Sequence, residues 1–157
     1  MSVNETADIA WDRPDPFTLT FDVTPEDTDR LGHANNVVYV RWLEDISWAH
    51  IEHLGMTWER HEATGKAMAI TRTEIDYLAA ANTGDRLMMA TWLVSFDGRF
   101  RSSRQFQLVR LSDRKVLARA MSYHACVDLR TQRPARVPKE YGEILGGAVI
   151  TDGLVSD

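Results

Sequence analysis

One segment, Val37 to Leu54, restricts the possible folds of this chain more than any other. Helical spacing places Tyr39, Leu43, Ile46, His50 and Leu54 on one stripe. Arg41, Asp45 and Glu52 fall on the opposite face, with Arg41 and Asp45 spaced for a surface pair. The flanks are apolar as well (Val38, Val40, Trp42, Ala49, Ile51), so the spacing predicts a helix covered by protein over most of its circumference. Asn35 or Asn36 suits its N-cap, and Gly55 suits the position just past its end.

The rest of the chain reads mainly as strands that could supply that cover. Phe17 to Val23 alternates apolar and polar residues. Four more strands follow: Ala67 to Leu78, Leu87 to Phe96, Phe100 to Leu111, and Val116 to Asp128. Turn signals separate them at Asn82-Thr83-Gly84-Asp85, Asp97-Gly98 and Ser112-Asp113. Such short connections predict an antiparallel meander for the last three. Met56 to Lys66 reads as a short helical turn and Pro138 to Leu145 as another. Residues 1–16 read as a loose arm and 146–157 as an unanchored tail, which leaves 17–145 as a single domain. A lone apolar helix with one antiparallel sheet implies an α+β fold in which the sheet curls around the helix. The sheet edges stay open, and self-association into a homodimer or homotetramer is the usual remedy.

Composition narrows the function classes. A net charge of -5 argues against nucleic acid as a main partner. The single cysteine, Cys126, excludes an intrachain disulfide and fits a reducing compartment. The N-terminus has no basic start followed by an apolar run, and no apolar run reaches a membrane span. The expected location is the cytoplasm, with no membrane partner.

The chemistry concentrates between Glu26 and Asp45. Asp29, His33, Asn35 and Asn36 crowd against the start of the predicted helix. Polar groups there are costly as packing alone, but a helix N-terminus favours an anionic or polarised group. Each residue also has a plainer reading. Asp29 suits a turn, Asn35 and Asn36 suit caps, and His33 suits a loop. His50, on the apolar stripe, reads as a satisfied core histidine. His50, Glu52 and His53 lack the spacing of a zinc-protease helix, so no metal is expected. Cys126 falls inside a predicted strand, and a thiol nucleophile is not expected there.

These residues carry a family likeness. Asp27-Thr28-Asp29, Gly32-His33, Asn35-Asn36, Tyr39 and Glu44 resemble the signature of the hotdog-fold acyl-CoA thioesterases of the 4-hydroxybenzoyl-CoA thioesterase group. Ile75-Asp76-Tyr77-Leu78 with Gly84-Asp85, and Val127 to Thr131 with Arg133-Pro134 and Pro138, resemble later family segments in the same order. The resemblance implies a hotdog fold and hydrolysis of acyl-CoA without a metal or redox cofactor. It marks Asp29 as the catalytic carboxylate, either as nucleophile or as general base on water, and Asn36 as the carbonyl-polarising position. Backbone donors near Asn36 and Val37 would receive the oxyanion. His33 matches the fatty-acyl branch and would orient Asp29 or bond the thioester. Asn35 would hold a water or cap the helix. Tyr39 and Leu43 would line an acyl slot, and Glu44 would make a structural hydrogen bond. Arg99 lies near a phosphate-contacting position, and Arg101 and Arg104 follow it in one cluster suited to the phosphates of CoA. An acyl-carrier-protein thioesterase and a non-catalytic acyl-CoA binder are the alternatives on the same fold.

Overall fold

The computed structural model describes residues 8–150. β1 (Phe17–Asp22) leads through a short 3-10 turn (Pro25–Asp27) to the long helix α1 (Asn36–His53). There follow α2 (Trp58–Thr64), β2 (Lys66–Tyr77), β3 (Arg86–Phe96), β4 (Arg101–Arg110), β5 (Val116–Asp128) and α3 (Lys139–Ala148). The five strands form one antiparallel sheet in the order β1-β3-β4-β5-β2. The expected meander of β3, β4 and β5 sits at its centre. Register shifts at Ile70/Arg72, Leu93/Ser95 and Leu108/Val109 add local twist, which helps the sheet bend over the helix.

α1 lays its predicted stripe into that concave face. Tyr39, Leu43, Ile46 and His50 are buried, with Trp42 beside them, against Leu87, Met89, Phe106, Leu108 and Leu117. Asn35 caps the helix by accepting from Val37 N–H at 3.1 Å, and Gly55 follows its end at φ +103°. The helix is less covered than its composition implies. Val37 is 73% exposed, and Val40 and Trp48 are also exposed. The sheet reaches only one side of the cylinder, and β2 ends at a free edge beside the uncovered flank. Arg41 does not pair with Asp45; it donates to Asp27 Oδ1 at 2.6 Å.

Both ends are more firmly held than expected. Residues 8–16 lie on the outer face of the sheet. Asp12 pairs with Arg119 at 2.7 Å, Trp92 Nε1 donates to the Pro14 carbonyl, and Trp11 meets Trp92 edge-on. α3 runs past Leu145 to Ala148, burying Tyr141 and Leu145. Ile150 N–H then donates to the Leu93 carbonyl. Residues 1–7 and 151–157 lie outside the described range.

Candidate active site

The segment before α1 folds into a small hairpin. Asp29 N–H donates to the His33 carbonyl at 2.9 Å, and Asn35 N–H donates to the Asp27 carbonyl at 2.9 Å. Gly32 closes the turn at φ +76°, a conformation that favours glycine. A second set of bonds ties the hairpin to the loop before β3: Ala34 N–H donates to the Ala81 carbonyl and Thr83 N–H to the Gly32 carbonyl. Asp27, buried at the base, accepts from Thr24 and Arg41. Burial works against its ionised form, but those hydrogen bonds hold the carboxyl below its usual range.

Asp29 stands exposed on this hairpin. Its Oδ1 accepts from Leu31 N–H at 2.8 Å and His33 N–H at 3.3 Å, the turn role open to any aspartate here. Its Oδ2 makes no hydrogen bond among the described residues. One oxygen therefore fixes the carboxylate and the other faces solvent.

The helix start offers a narrower donor set than expected. Val37 N–H is taken by Asn35 Oδ1, and Val38 N–H by the Asn35 carbonyl. Among the described residues Asn36 N–H has no acceptor and remains a donor of the first turn, where unpaired N–H groups and the helix dipole coincide. Tyr77 hydroxyl donates to the Asn36 carbonyl at 3.3 Å and braces this position from β2. Asn35 is thus the cap.

The remaining expected residues are distributed differently. The His33 ring makes no hydrogen bond among the described residues; it is His33's backbone N–H that reaches Asp29. Tyr39 is 3% exposed, packs in the core beside Leu43 and accepts from Ala81 N–H, so it braces the loop before β3. Glu44 is exposed and makes no structural hydrogen bond among the described residues. Arg99 lies in the β3–β4 turn and Arg101 opens β4; Asp97 Oδ1 accepts from both backbone N–H groups. That turn is at the far end of the sheet. Tyr77, beside Asn36, pairs with Ala118 and thence with Leu108. From Leu108 to Arg101 β4 runs about 23 Å at the usual strand rise. One protomer alone does not bring these arginines to Asp29.

Arg104 differs most from expectation. It is 2% exposed, under α1 instead of on the surface. Its guanidinium donates to His50 Nδ1 at 2.7 Å and to Thr91 Oγ1 at 3.3 Å. Burial and the nearby Arg104 push His50 down to about 3, so it stays a neutral core imidazole. The same two causes push His124 down to about 4. Burial lowers Arg104 itself to about 10, which still leaves it charged at neutral pH. Arg104, Ser102, His124, His61 and Tyr141 line a cavity of about 240 Å³ between α1 and the sheet, walled by Trp48, Met68, Leu93 and Leu145 and partly open to solvent. This pocket was not anticipated. Its signal was strand parity: Arg104 and Ser102 share the inward face of β4 with Phe106 and Leu108.

The sheet order and the single long helix under it define a hotdog fold. The chain belongs to the thioesterase-like superfamily, whose family model matches residues 23–145. It is 28% identical over 125 residues to the acyl-CoA thioesterase YbgC of Haemophilus influenzae, covering 79% of this chain and 90% of that one. It is 25% identical over 128 residues to the 1,4-dihydroxy-2-naphthoyl-CoA hydrolase of Synechocystis, covering 80% and 91%. Among solved structures, the SAV2348 protein of Staphylococcus aureus, crystallised with CoA, superposes with a TM-score of 0.79 at 17% identity, covering 91% of this chain and 94% of that one.

Proposed function

We propose that this protein hydrolyses acyl-CoA thioesters to the free acid and CoA, using Asp29 and the start of α1. The observation that carries the reading is the free Asn36 N–H on the helix that follows a hairpin whose carboxylate has one uncommitted oxygen. The thioester carbonyl oxygen would accept from Asn36 N–H, where the helix dipole favours the negative charge that develops. Asp29 then acts in one of two ways. As nucleophile it bonds to the carbonyl carbon, expels CoA thiolate and leaves a mixed anhydride that water opens. As general base it takes a proton from water, the water oxygen bonds to the carbonyl carbon, and the C–S bond breaks to release CoA thiolate, which is protonated, and the free acid. Water is the only co-reactant in either route, and no metal or redox cofactor is needed. The names of the relatives support acyl-CoA as the substrate class.

The working unit in this reading is a homodimer paired through the free edge of β2. Its Tyr77 end adjoins the helix start, and its Met68 end adjoins the cavity. Two-fold antiparallel pairing of β2 with a second β2 exchanges these ends. It sets one protomer's Asp29 and Asn36 beside the other's cavity and its Arg99 and Arg101, which could then meet the CoA phosphates. The exposed Ile70, Val40 and Trp48 lie on the flank such pairing would cover. The cytoplasm remains the proposed location; among the described residues no helix is long and apolar enough to cross a membrane.

Trapping of released thiol, run across short, medium, long and aromatic acyl-CoAs, tests the reading. Turnover of at least one class is expected. Tight acyl-CoA binding without thiol release would replace the hydrolase by a binder.

A further inference from the structure

We propose that the cavity around Arg104 recognises a carboxylate at the far end of the acyl group, making the substrates ω-carboxyacyl-CoA thioesters. Arg104 is the central observation. A buried guanidinium is normally matched by an acid. Here its recorded acceptors, His50 Nδ1 and Thr91 Oγ1, are neutral, and no carboxylate of the described residues pairs with it. Glu44 also lines the cavity but stays exposed on the helix flank without bonding the guanidinium. One buried polar atom of the lining is unpartnered among the described residues: His61 is 1% exposed, its Nδ1 meets the Lys66 carbonyl, and its Nε2 makes no hydrogen bond.

The lining also indicates what would complete the site. Ser102, His124 and Tyr141 add neutral hydrogen-bonding groups, while Met68 and Leu145 give apolar walls. One uncompensated positive charge matches one negative charge, and a guanidinium fork fits a carboxylate. A phosphate dianion would leave a charge unmatched in a low-dielectric space. The apolar walls suit a methylene chain. Within one protomer the cavity-lining residues of α1, Glu44 to Ile51, lie about 12–22 Å along the helix from Asn36, so an acyl chain that enters its own protomer's cavity is read far from the thioester. The substrate assignment rests on the acyl-CoA reading; the anion site itself does not.

The test compares kcat/KM for thiol release from CoA monothioesters of dicarboxylic acids with that from fatty acyl-CoAs of equal chain length, over a range of lengths. At the best length the wild type should favour the carboxylate-ended series by about tenfold to a hundredfold, the scale of a charged hydrogen bond. Arg104→Met should abolish the preference while keeping a thermal midpoint equal to or above wild type, because it removes an unmatched buried charge. Arg104→Lys should keep part of the preference. Equal kcat/KM for the two series in wild type, or a preference that survives Arg104→Met, would overturn the proposal. If Arg104→Met does not fold, Arg104→Gln carries the same comparison. If no acyl-CoA turns over, the thioesterase reading fails separately. Calorimetry with free dicarboxylates then decides: binding lost in the Arg104 variant supports the site, and no binding to wild type removes it.

Discussion

At the scale of single residues, Arg104 and His50 share one hydrogen bond under α1, and its consequence is a pH dependence. His50 titrates near 3 in the folded chain against an ordinary value of 6.5, because burial and the adjacent cation oppose its charged form. Between those values the unfolded chain binds a proton that the folded chain refuses. The stabilisation is therefore complete above pH 6.5 and lost progressively as pH falls toward 3. His124, lowered to about 4, contributes with the same sign. Urea unfolding followed from pH 7 downward should lose about 3 kcal/mol from His50 alone by about pH 4, and His50→Gln should flatten that slope. An unchanged slope in the variant would show that His50 is protonated when folded. The core role of His50 was legible from its place on the apolar stripe. The burial of Arg104 was hidden by its neighbours Arg99 and Arg101, which are exposed and suggested one surface cluster. The contact that Tyr39 makes was hidden for a related reason: its hydroxyl accepts from Ala81 N–H, 42 residues away in sequence.

At the scale of elements, the start of α1 does two jobs through adjacent residues. Asn35 closes the helix by bonding Val37 N–H, which leaves Asn36 N–H for the carbonyl. Asn35→Ala should cost about 1 kcal/mol of stability, the usual cost of a lost cap. Asn35→Asp keeps the cap and so should keep stability. Its added negative charge would oppose the oxyanion, so its kcat should fall. Equal kcat in Asn35→Asp and wild type would place the oxyanion elsewhere. Helix and strand limits were largely readable, because apolar period and turn residues are local signals. The ends were not. The arm is held by pairs such as Asp12 with Arg119, which are 107 residues apart in sequence. α3 carries Gly142, Gly146 and Gly147, poor helix formers, yet burial of Tyr141 and Leu145 keeps it helical to Ala148.

At the scale of the whole molecule, Asp29 and Arg99 sit at opposite ends of one protomer, and the proposed β2–β2 pairing is what would bring them together. The single sequence carried the open edge and the apolar flank but not the distance between Asp29 and Arg99, which sheet register sets. The purified protein should accordingly sediment at twice 17.9 kDa. The catalytic role proposed for Asp29 is tested by the thiol-release rate of the purified protein carrying Asp29→Asn. Asparagine keeps the oxygen that accepts from Leu31 and His33, so the hairpin should persist while the acid is lost. We expect kcat to fall by about 10²- to 10⁴-fold with an unchanged thermal midpoint. A rate within a few fold of wild type would contradict the assignment of Asp29.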